Sequence, residues 1–183
     1  MARPVAVAIT GGIGAGKSEA LAAFGRHGAA TLSADQIVHD LIASDPEVQV
    51  ALRARFGSVD RADIGRVVFA DPEALRWLEL LLHPRVRAIQ QGWLATVDAP
   101  VAVVEVPLLY EGGGETAFDK VVVVTAPDAV RLARRRPPDD GRDARLLPEE
   151  EKVARADFAY VNDGSVEELD RWVANVMEQL CAA

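Results

Sequence analysis

Val5-Ala-Val-Ala-Ile-Thr-Gly-Gly-Ile-Gly-Ala-Gly-Lys-Ser18 is the stretch that decides the fold of this 183-residue chain. The apolar, largely β-branched residues 5–10 predict a short strand that is buried on both faces. Residues 11–18 fit the pattern G-x-x-x-x-G-K-[ST], and a helix is expected from Lys17 to about His27. A strand that leads into such a loop, with a helix after it, is the context in which this pattern binds phosphate. The stretch therefore predicts a phosphate-binding P-loop.

The residue types of this loop predict how it would hold ATP. Glycines let successive backbone N–H groups point at phosphate oxygens, and the start of the helix adds a partial positive charge. Lys17 is expected to reach the β- and γ-phosphates, and the Ser18 hydroxyl is expected to ligate Mg²⁺. The predicted ATP contacts are Gly12, Ile13, Gly14, Ala15, Gly16, Lys17 and Ser18. A glycine-rich turn without a ligand is the alternative, and Lys17 between a strand and a helix argues against it.

Strands and helices alternate along the rest of the chain. Continuous apolar runs at 101–106 and 121–125 predict central strands covered on both faces, and shorter strands are expected at 30–32 and 158–161. Helices are predicted at about 35–43, 46–56, 71–97, 126–136 and 166–180. Pro84 is expected to bend or break the third of these helices. This order predicts an α/β fold, a P-loop core with a parallel β-sheet flanked by helices.

We predict a single P-loop domain over residues 1–183. The stretch between the second and third strands is too long for a simple crossover, and it is expected to form a helical insert that binds the substrate. The predicted core comprises 1–32, 100–134 and 157–183, the predicted insert 33–99, and a short predicted lid 135–156.

Composition excludes several classes of protein. A net charge of −8 argues against wrapping nucleic acid, because that binding depends on Lys and Arg at the phosphates. No stretch approaches the roughly 20 apolar residues that span a bilayer, and residues 5–9 are too short for a secretory signal. Cys181 is the only cysteine, so neither an intrachain disulfide nor a cysteine-based zinc site can form. We therefore expect a cytoplasmic protein with a small-molecule substrate, and no nucleic-acid or membrane partner.

Asp35 is a candidate general base. It follows the second predicted strand, where the carboxyl ends of parallel strands gather around a ligand crevice. A carboxylate there can accept the proton of an attacking hydroxyl. Because Ser33-Ala34-Asp35 precedes a predicted helix, a helix N-cap is the alternative role, and the spacing alone does not separate the two.

Glu105 is a candidate metal-site residue. It is an acidic residue inside the apolar run 101–106, and charged side chains are seldom buried without a partner. Hydrated Mg²⁺ is the expected partner, and simple exposure at the end of the strand is the alternative. Glu111 is a weaker candidate for the same electrostatic field.

Arginines concentrate around residues 137–141 in an otherwise acidic chain. They are Arg131, Arg134, Arg135, Arg136, Arg142 and Arg145. A segment of this kind can close over ATP and stabilise charge on the transferring phosphoryl group. The alternative for most of them is a solvated surface paired with neighbouring aspartates, so we expect one or two functional arginines.

His39 and His83 have no Cys or second His at ligand spacing, which argues against a structural zinc site. His83-Pro84 lies within a predicted helical region, where packing or a kink is the alternative to a substrate contact.

Several motifs together resemble one family of small-molecule kinases. They are residues 10–18, 34–41, 68–73 with 82–84, 106–111, 150–152 and 155–157, and Asn162 with Gly164. Over nearly the whole chain, this combination is similar to dephospho-coenzyme A kinases, which phosphorylate the ribose 3′-hydroxyl of dephospho-coenzyme A.

The resemblance implies roles for individual residues. It implies that Asp35 is the general base, that Lys17 and Ser18 serve ATP and Mg²⁺, and that Glu105 lies near the metal. It also implies ATP binding at Asn162, a catalytic role for Arg142, and substrate contacts at Asp35, His39, Arg61, His83, Leu109 and Glu111.

The chain departs from this family in two regions. Ser33-Ala34-Asp35 stands where the family usually has Asp-Ala-Asp, and the lid is shorter between Arg131 and Arg142, with Leu146 in place of a common glutamine. Two other readings stay open: a nucleoside or nucleotide kinase, and an ATP-binding switch protein. The second lacks support, since no Asn-Lys-x-Asp guanine signature occurs.

Overall fold

A five-stranded parallel sheet organises the chain in a computed structural model, which describes residues 3–134 and 146–182. The strands are β1 (Val5–Thr10), β2 (Ala30–Ser33), β3 (Val101–Glu105), β4 (Lys120–Thr125) and β5 (Phe158–Val161). Their order across the sheet is β2-β3-β1-β4-β5, and each neighbouring pair is parallel. The predicted α/β fold with a parallel sheet is confirmed.

Eight helices and one short 3₁₀ turn, Glu115–Ala117, connect or flank the described strands. The helices are α1 (Lys17–Arg26), α2 (Ala34–Ser44), α3 (Pro46–Phe56), α4 (Arg61–Ala70), α5 (Pro72–Thr96), α6 (Asp128–Arg134), α7 (Glu149–Ala154) and α8 (Val166–Ala182). Helices α4 and α7 were not among the helices predicted from the sequence. Within the described ranges, no helix is both long and apolar enough to cross a membrane.

The main hydrophobic core lies between one face of the sheet and helices α1 and α8. Successive side chains of a strand point to opposite faces, so Val7 and Ile9 face this core while Ala8 faces a smaller cluster on the other side. Phe24 of α1 is fully buried there, and truncation of such a side chain to Ala typically costs about 3–5 kcal/mol. This core holds the start of α1, and therefore the end of the P-loop, against the sheet.

The chain divides into two compact units. One comprises residues 1–33 and 94–183 and contains the sheet, and the other is Ala34–Trp93. In the second unit, Asp45 accepts hydrogen bonds from the N–H groups of Glu47 and Val48, which caps α3. Asp60 caps α4 in the same way. An N-cap of this type contributes about 0.5–2 kcal/mol to helix stability. The two aspartates therefore help α3 and α4 to form as separate short helices.

Pro84 lies inside α5, which runs without a break from Pro72 to Thr96. The prediction was that Pro84 would bend or break the helix, and a break at this residue is wrong. Proline removes one backbone donor and crowds the preceding turn. In α5 the Arg85 side chain donates to the Leu81 carbonyl at 3.0 Å, so a carbonyl of that turn receives a side-chain donor.

Candidate nucleotide-binding and phosphoryl-transfer site

Polar residues of β2 and β3 meet beside β1 at the carboxyl end of the sheet. The register pairs Ile9 of β1 with Glu105 of β3, and Glu105 with Ser33 of β2. In parallel α/β sheets, ligands bind outside the carboxyl ends of the strands. The P-loop begins immediately after β1, and the site is therefore built around the central strand of the sheet.

Several positions of the P-loop have backbone conformations that require glycine, Gly11 and Gly16 among them. Gly11 has φ 144°, and a Cβ there would collide with the Val124 carbonyl of the adjacent strand. Gly16 has φ 99° and occupies the N-cap position of α1. Left-handed backbone of this kind is readily adopted only by glycine. These two residues let the chain turn tightly from β1 into α1, which places the helix N-terminus beside the loop.

Lys17 is folded over the loop. Its side chain is 9% exposed, and Nζ donates to the carbonyl of Gly12 at 2.9 Å. The ammonium group therefore lies against the loop itself, which is where bound phosphates would need a cation.

Glu105 is buried at the last position of β3, with 5% of its surface exposed. Ser18 Oγ lies 3.3 Å from Oε1, and Ser33 Oγ lies 3.4 Å from Oε2. The alternative role for Glu105, a carboxylate exposed to solvent at the end of the strand, is therefore excluded. Hydroxyl and carboxylate oxygens are the hard ligands that suit Mg²⁺, which usually keeps several waters and takes further oxygens from phosphates. Ser18 and Glu105 fit such a partial ligand set, and the described residues form no separate cluster of three or more metal-ligating side chains.

Asn162 braces the P-loop from the end of β5. Its Nδ2 donates to the Ala15 carbonyl at 2.8 Å, and its backbone N–H donates to Thr125 at 2.7 Å. The side chain is buried, and a Cβ on Gly16 would collide with it. Arg134 of α6 contacts the Asn162 carbonyl at 3.4 Å. Asn162 therefore lies against the loop that was predicted to bind ATP.

Arg131 and Glu149 lie over the start of the loop. Arg131 Nη1 is 3.0 Å from Glu149 Oε1, and Nη2 is 2.6 Å from Asp128 Oδ1. A Cβ on Gly12 would collide with both the guanidinium and the Glu149 carboxylate. Burial raises the pKa of Glu149, with Asp128 adding to this effect and the charge of Arg131 opposing it. Two residues outside the P-loop pattern thus contribute charge beside it.

A buried ion pair adjoins the same region. Lys152 is fully buried, and its Nζ lies 2.6 Å from Glu111 Oε1. The same oxygen accepts the Leu147 N–H at 2.9 Å. Burial acts to raise the pKa of Glu111, but the Lys152 ammonium and the Leu147 N–H outweigh it and leave that pKa below its usual value.

Sequence reasoning assigned no role to Lys152 or Glu149. One signal could have indicated Lys152: only three of the chain's twenty basic residues are lysines, and a lysine where arginine is the default calls for a chemical reason.

The second unit carries four of the predicted substrate residues. Asp35 is exposed and is the second residue of α2, so it lies inside the first helical turn rather than at the N-cap. Arg61 Nη1 lies 3.1 Å from His39 Nδ1, which brings these two predicted residues together. His83 is exposed on α5.

The other predicted substrate and catalytic residues belong to the sheet-containing unit or to undescribed positions. Leu109 is buried in the smaller cluster with Ala8 and Val123. Arg142 lies outside the described residues.

The parallel sheet, the glycine-dependent loop after its central strand, and the Lys17, Ser18 and Glu105 cluster define a P-loop nucleotide-binding protein of the small-kinase type. Shikimate kinase from Bacteroides thetaiotaomicron shares this fold, with 15% identity, a TM-score of 0.55 and coverage of 98% of this chain and 99% of that chain. The family model for dephospho-CoA kinase matches residues 5–168. The chain belongs to the dephospho-CoA kinase family.

Individual relatives agree with this assignment. A dephospho-CoA kinase of Rhodopseudomonas palustris is 38% identical, covering 92% of each chain, and one of Frankia casuarinae is 36% identical over 96% of this chain and 83% of the relative. A solved structure from Thermus thermophilus has 33% identity and a TM-score of 0.82, covering 98% of this chain and 99% of that one. Dephospho-CoA kinase from Campylobacter jejuni has 25% identity, a TM-score of 0.67 and full coverage of both chains.

Proposed function

We propose that this protein transfers the γ-phosphoryl group of ATP to the ribose 3′-hydroxyl of dephospho-coenzyme A. The observation that carries the proposal is the family match over residues 5–168, which spans a P-loop with Lys17, Ser18 and Glu105 clustered around it. The reaction forms a bond between the acceptor oxygen and the γ-phosphorus and breaks the bond to the β,γ-bridging oxygen, so ADP leaves. The single cysteine, Cys181, supports a reducing cytoplasm as the setting.

The P-loop is proposed to hold the triphosphate of ATP. Backbone N–H groups of residues 12–18 would contact phosphate oxygens. The Lys17 ammonium group, which donates to the Gly12 carbonyl, would donate to the phosphates instead. Ser18 and Glu105 are the residues that would hold Mg²⁺, Ser18 directly and Glu105 directly or through water. When bound, Mg²⁺ would neutralise charge on the phosphate oxygens during transfer. Asn162 would keep the loop in its binding conformation.

Asp35 is proposed to remove the proton from the attacking 3′-hydroxyl. Its position in the first turn of α2 keeps the carboxylate exposed. His39 and Arg61, which contact each other, are proposed to bind the anionic substrate together with His83. Leu109 is buried in the smaller apolar cluster and Glu111 pairs with Lys152, so neither is proposed as a direct substrate contact. Arg142 is proposed to stabilise negative charge on the transferring phosphoryl group.

A product assay tests this function. Purified protein is incubated with ATP and Mg²⁺ and with dephospho-coenzyme A, a panel of nucleosides, or no acceptor. Mass spectrometry and ³¹P NMR would then identify the phosphorylated product and the position of its new phosphate. We expect a 3′-phosphate on coenzyme A, formed faster than any other product. Preferential phosphorylation of a nucleoside, or ATP hydrolysis that dephospho-coenzyme A does not increase, would overturn the proposal.

A further inference from the structure

Lys152 of α7 is the most deeply buried charged side chain among residues 3–134 and 146–182. Its ammonium group lies 2.6 Å from a Glu111 carboxylate that is itself only 13% exposed. Removing both charges from water is costly, and the attraction between them often does no more than offset this cost, so a buried ion pair is weak evidence for a stabilising role. The pair needs an explanation other than general stability.

Glu111 connects this pair to the segment that precedes α7. The oxygen that receives Lys152 also accepts the Leu147 N–H at 2.9 Å. Two residues after Leu147, Glu149 pairs with Arg131, and both side chains lie against Gly12 of the P-loop. A continuous series of contacts therefore links Lys152 to the P-loop through Glu111 and the segment 147–149.

The same residues enclose a small pocket at the mouth of the P-loop. It is lined by Gly12, Arg131, Leu146, Leu147, Pro148, Glu149 and Lys152. In this pocket the cation of Arg131 is held by the carboxylates of Asp128 and Glu149. The position of the segment 147–149 therefore determines where the charges beside Gly12 lie.

We propose that Lys152 is a positioning residue for ATP: through Glu111 it fastens residues 147–149, and with them Glu149 and Arg131, against the P-loop. The kinetic part of this inference rests on the proposed function, whereas the ATP-binding part does not. A site that is already ordered loses less conformational entropy when its ligand binds. Loss of the fastening should therefore weaken ATP binding and leave the acceptor site unchanged.

Three variants separate this role from a merely structural one. Lys152→Met removes the ammonium group and keeps an unbranched side chain, but it leaves a buried carboxylate without its cation. Glu111→Gln removes the charge and keeps an oxygen for the Leu147 N–H. The double variant removes both charges, so no unpaired buried charge remains, and the side chain at position 111 is no longer held in place by Lys152. Lys120→Met is the control for loss of a lysine ion pair away from the loop, because Lys120 forms a more exposed 2.9 Å ion pair with Asp157 at the start of β4, at the opposite end of the sheet from the P-loop.

The measurements are the ATP Kd by calorimetry, kcat and both KM values, all at a temperature where thermal melts show each variant folded. We expect the double variant to melt near the wild-type temperature and yet to bind ATP about tenfold more weakly, as the loss of one or two ordered side chains predicts. The KM for dephospho-coenzyme A and all values for Lys120→Met should stay at wild-type levels.

If the folded double variant binds ATP with the wild-type Kd, the proposal is overturned, because an ion pair with a purely structural role affects ATP binding only through the stability of the fold. Equal losses in both KM values would also overturn it. If Lys152→Met or the double variant does not fold, Glu111→Gln decides the question by the same ATP Kd criterion. Failure of the wild-type protein to phosphorylate dephospho-coenzyme A would count against the proposed function alone, since the ATP Kd comparison needs no acceptor.

Discussion

Replacement of Asn162 by Ala tests how the sheet controls the P-loop. The change removes the Nδ2 donor of a 2.8 Å hydrogen bond and leaves the Ala15 carbonyl in a fully buried residue without that partner. An unsatisfied buried acceptor costs about 1–3 kcal/mol. For a chain of this size, each kcal/mol lowers the melting temperature by about 2–4 °C. We therefore expect Asn162→Ala to melt several degrees below wild type.

The same hydrogen bond should also control ATP affinity. A peptide group is planar and trans, so its C=O and N–H point in opposite directions. A donor that holds the Ala15 carbonyl on one side therefore aims the Gly16 N–H to the other side. Without Asn162 this peptide can rotate, and loss of one aligned donor to an anion, about 1.5–3 kcal/mol, corresponds to at least a tenfold rise in the ATP Kd.

Thermal melts and ATP calorimetry measure the two effects independently. Asn162→Asp keeps the shape of the side chain but replaces the donor by an anion facing a carbonyl, so its ATP Kd should rise further than that of Asn162→Ala. Asn175→Ala, at an exposed position of α8, controls for loss of an asparagine. An unchanged melting temperature together with an unchanged ATP Kd in Asn162→Ala would refute the bracing role.

Three other perturbations address the chemistry and the ion pair. Lys17→Ala should fold with little loss of stability and lose nearly all phosphoryl transfer, because its ammonium group contacts the loop rather than the core; activity near the wild-type rate in a coupled ADP-release assay would contradict the P-loop assignment. Asp35→Asn should lower kcat by about 10²–10⁴ if Asp35 is the general base, while calorimetry still detects both substrates; intact turnover with intact binding would exclude that role. Because the pKa of Glu111 is lowered in the folded protein, its contribution to stability is present above its unfolded pKa of about 4.3 and is lost as the pH falls through the folded value. The unfolding free energy, measured by urea titration at several pH values, should therefore fall less steeply below about pH 4.5 in Glu111→Gln than in wild type, and equal slopes would contradict the role of this pair.

The sequence alone predicted the sheet and the loop because their signals are local. Residues 5–18 combine an apolar β-branched run, glycines at required positions and a Lys-Ser pair, and these depend only on neighbouring residues. The long apolar runs of β3 and β4 were equally clear, because strands covered on both faces need no alternation. Helix α4 was missed although its aspartate cap is visible in the sequence, and Pro84 lies inside a continuous helix although local rules disfavour proline there.

Tertiary structure decided which distant side chains meet at the loop. The pairing of β2 with β3 brings Ser33 and Glu105 together across 72 residues, and Asn162 reaches Ala15 across 147. The Lys152–Glu111 pair and the Arg131–Glu149 pair likewise join residues far apart in the chain. No periodicity or motif encodes such contacts, because the sequence does not distinguish a buried charged residue from an exposed one. Its partner is determined only when the parallel strands align and their carboxyl ends converge.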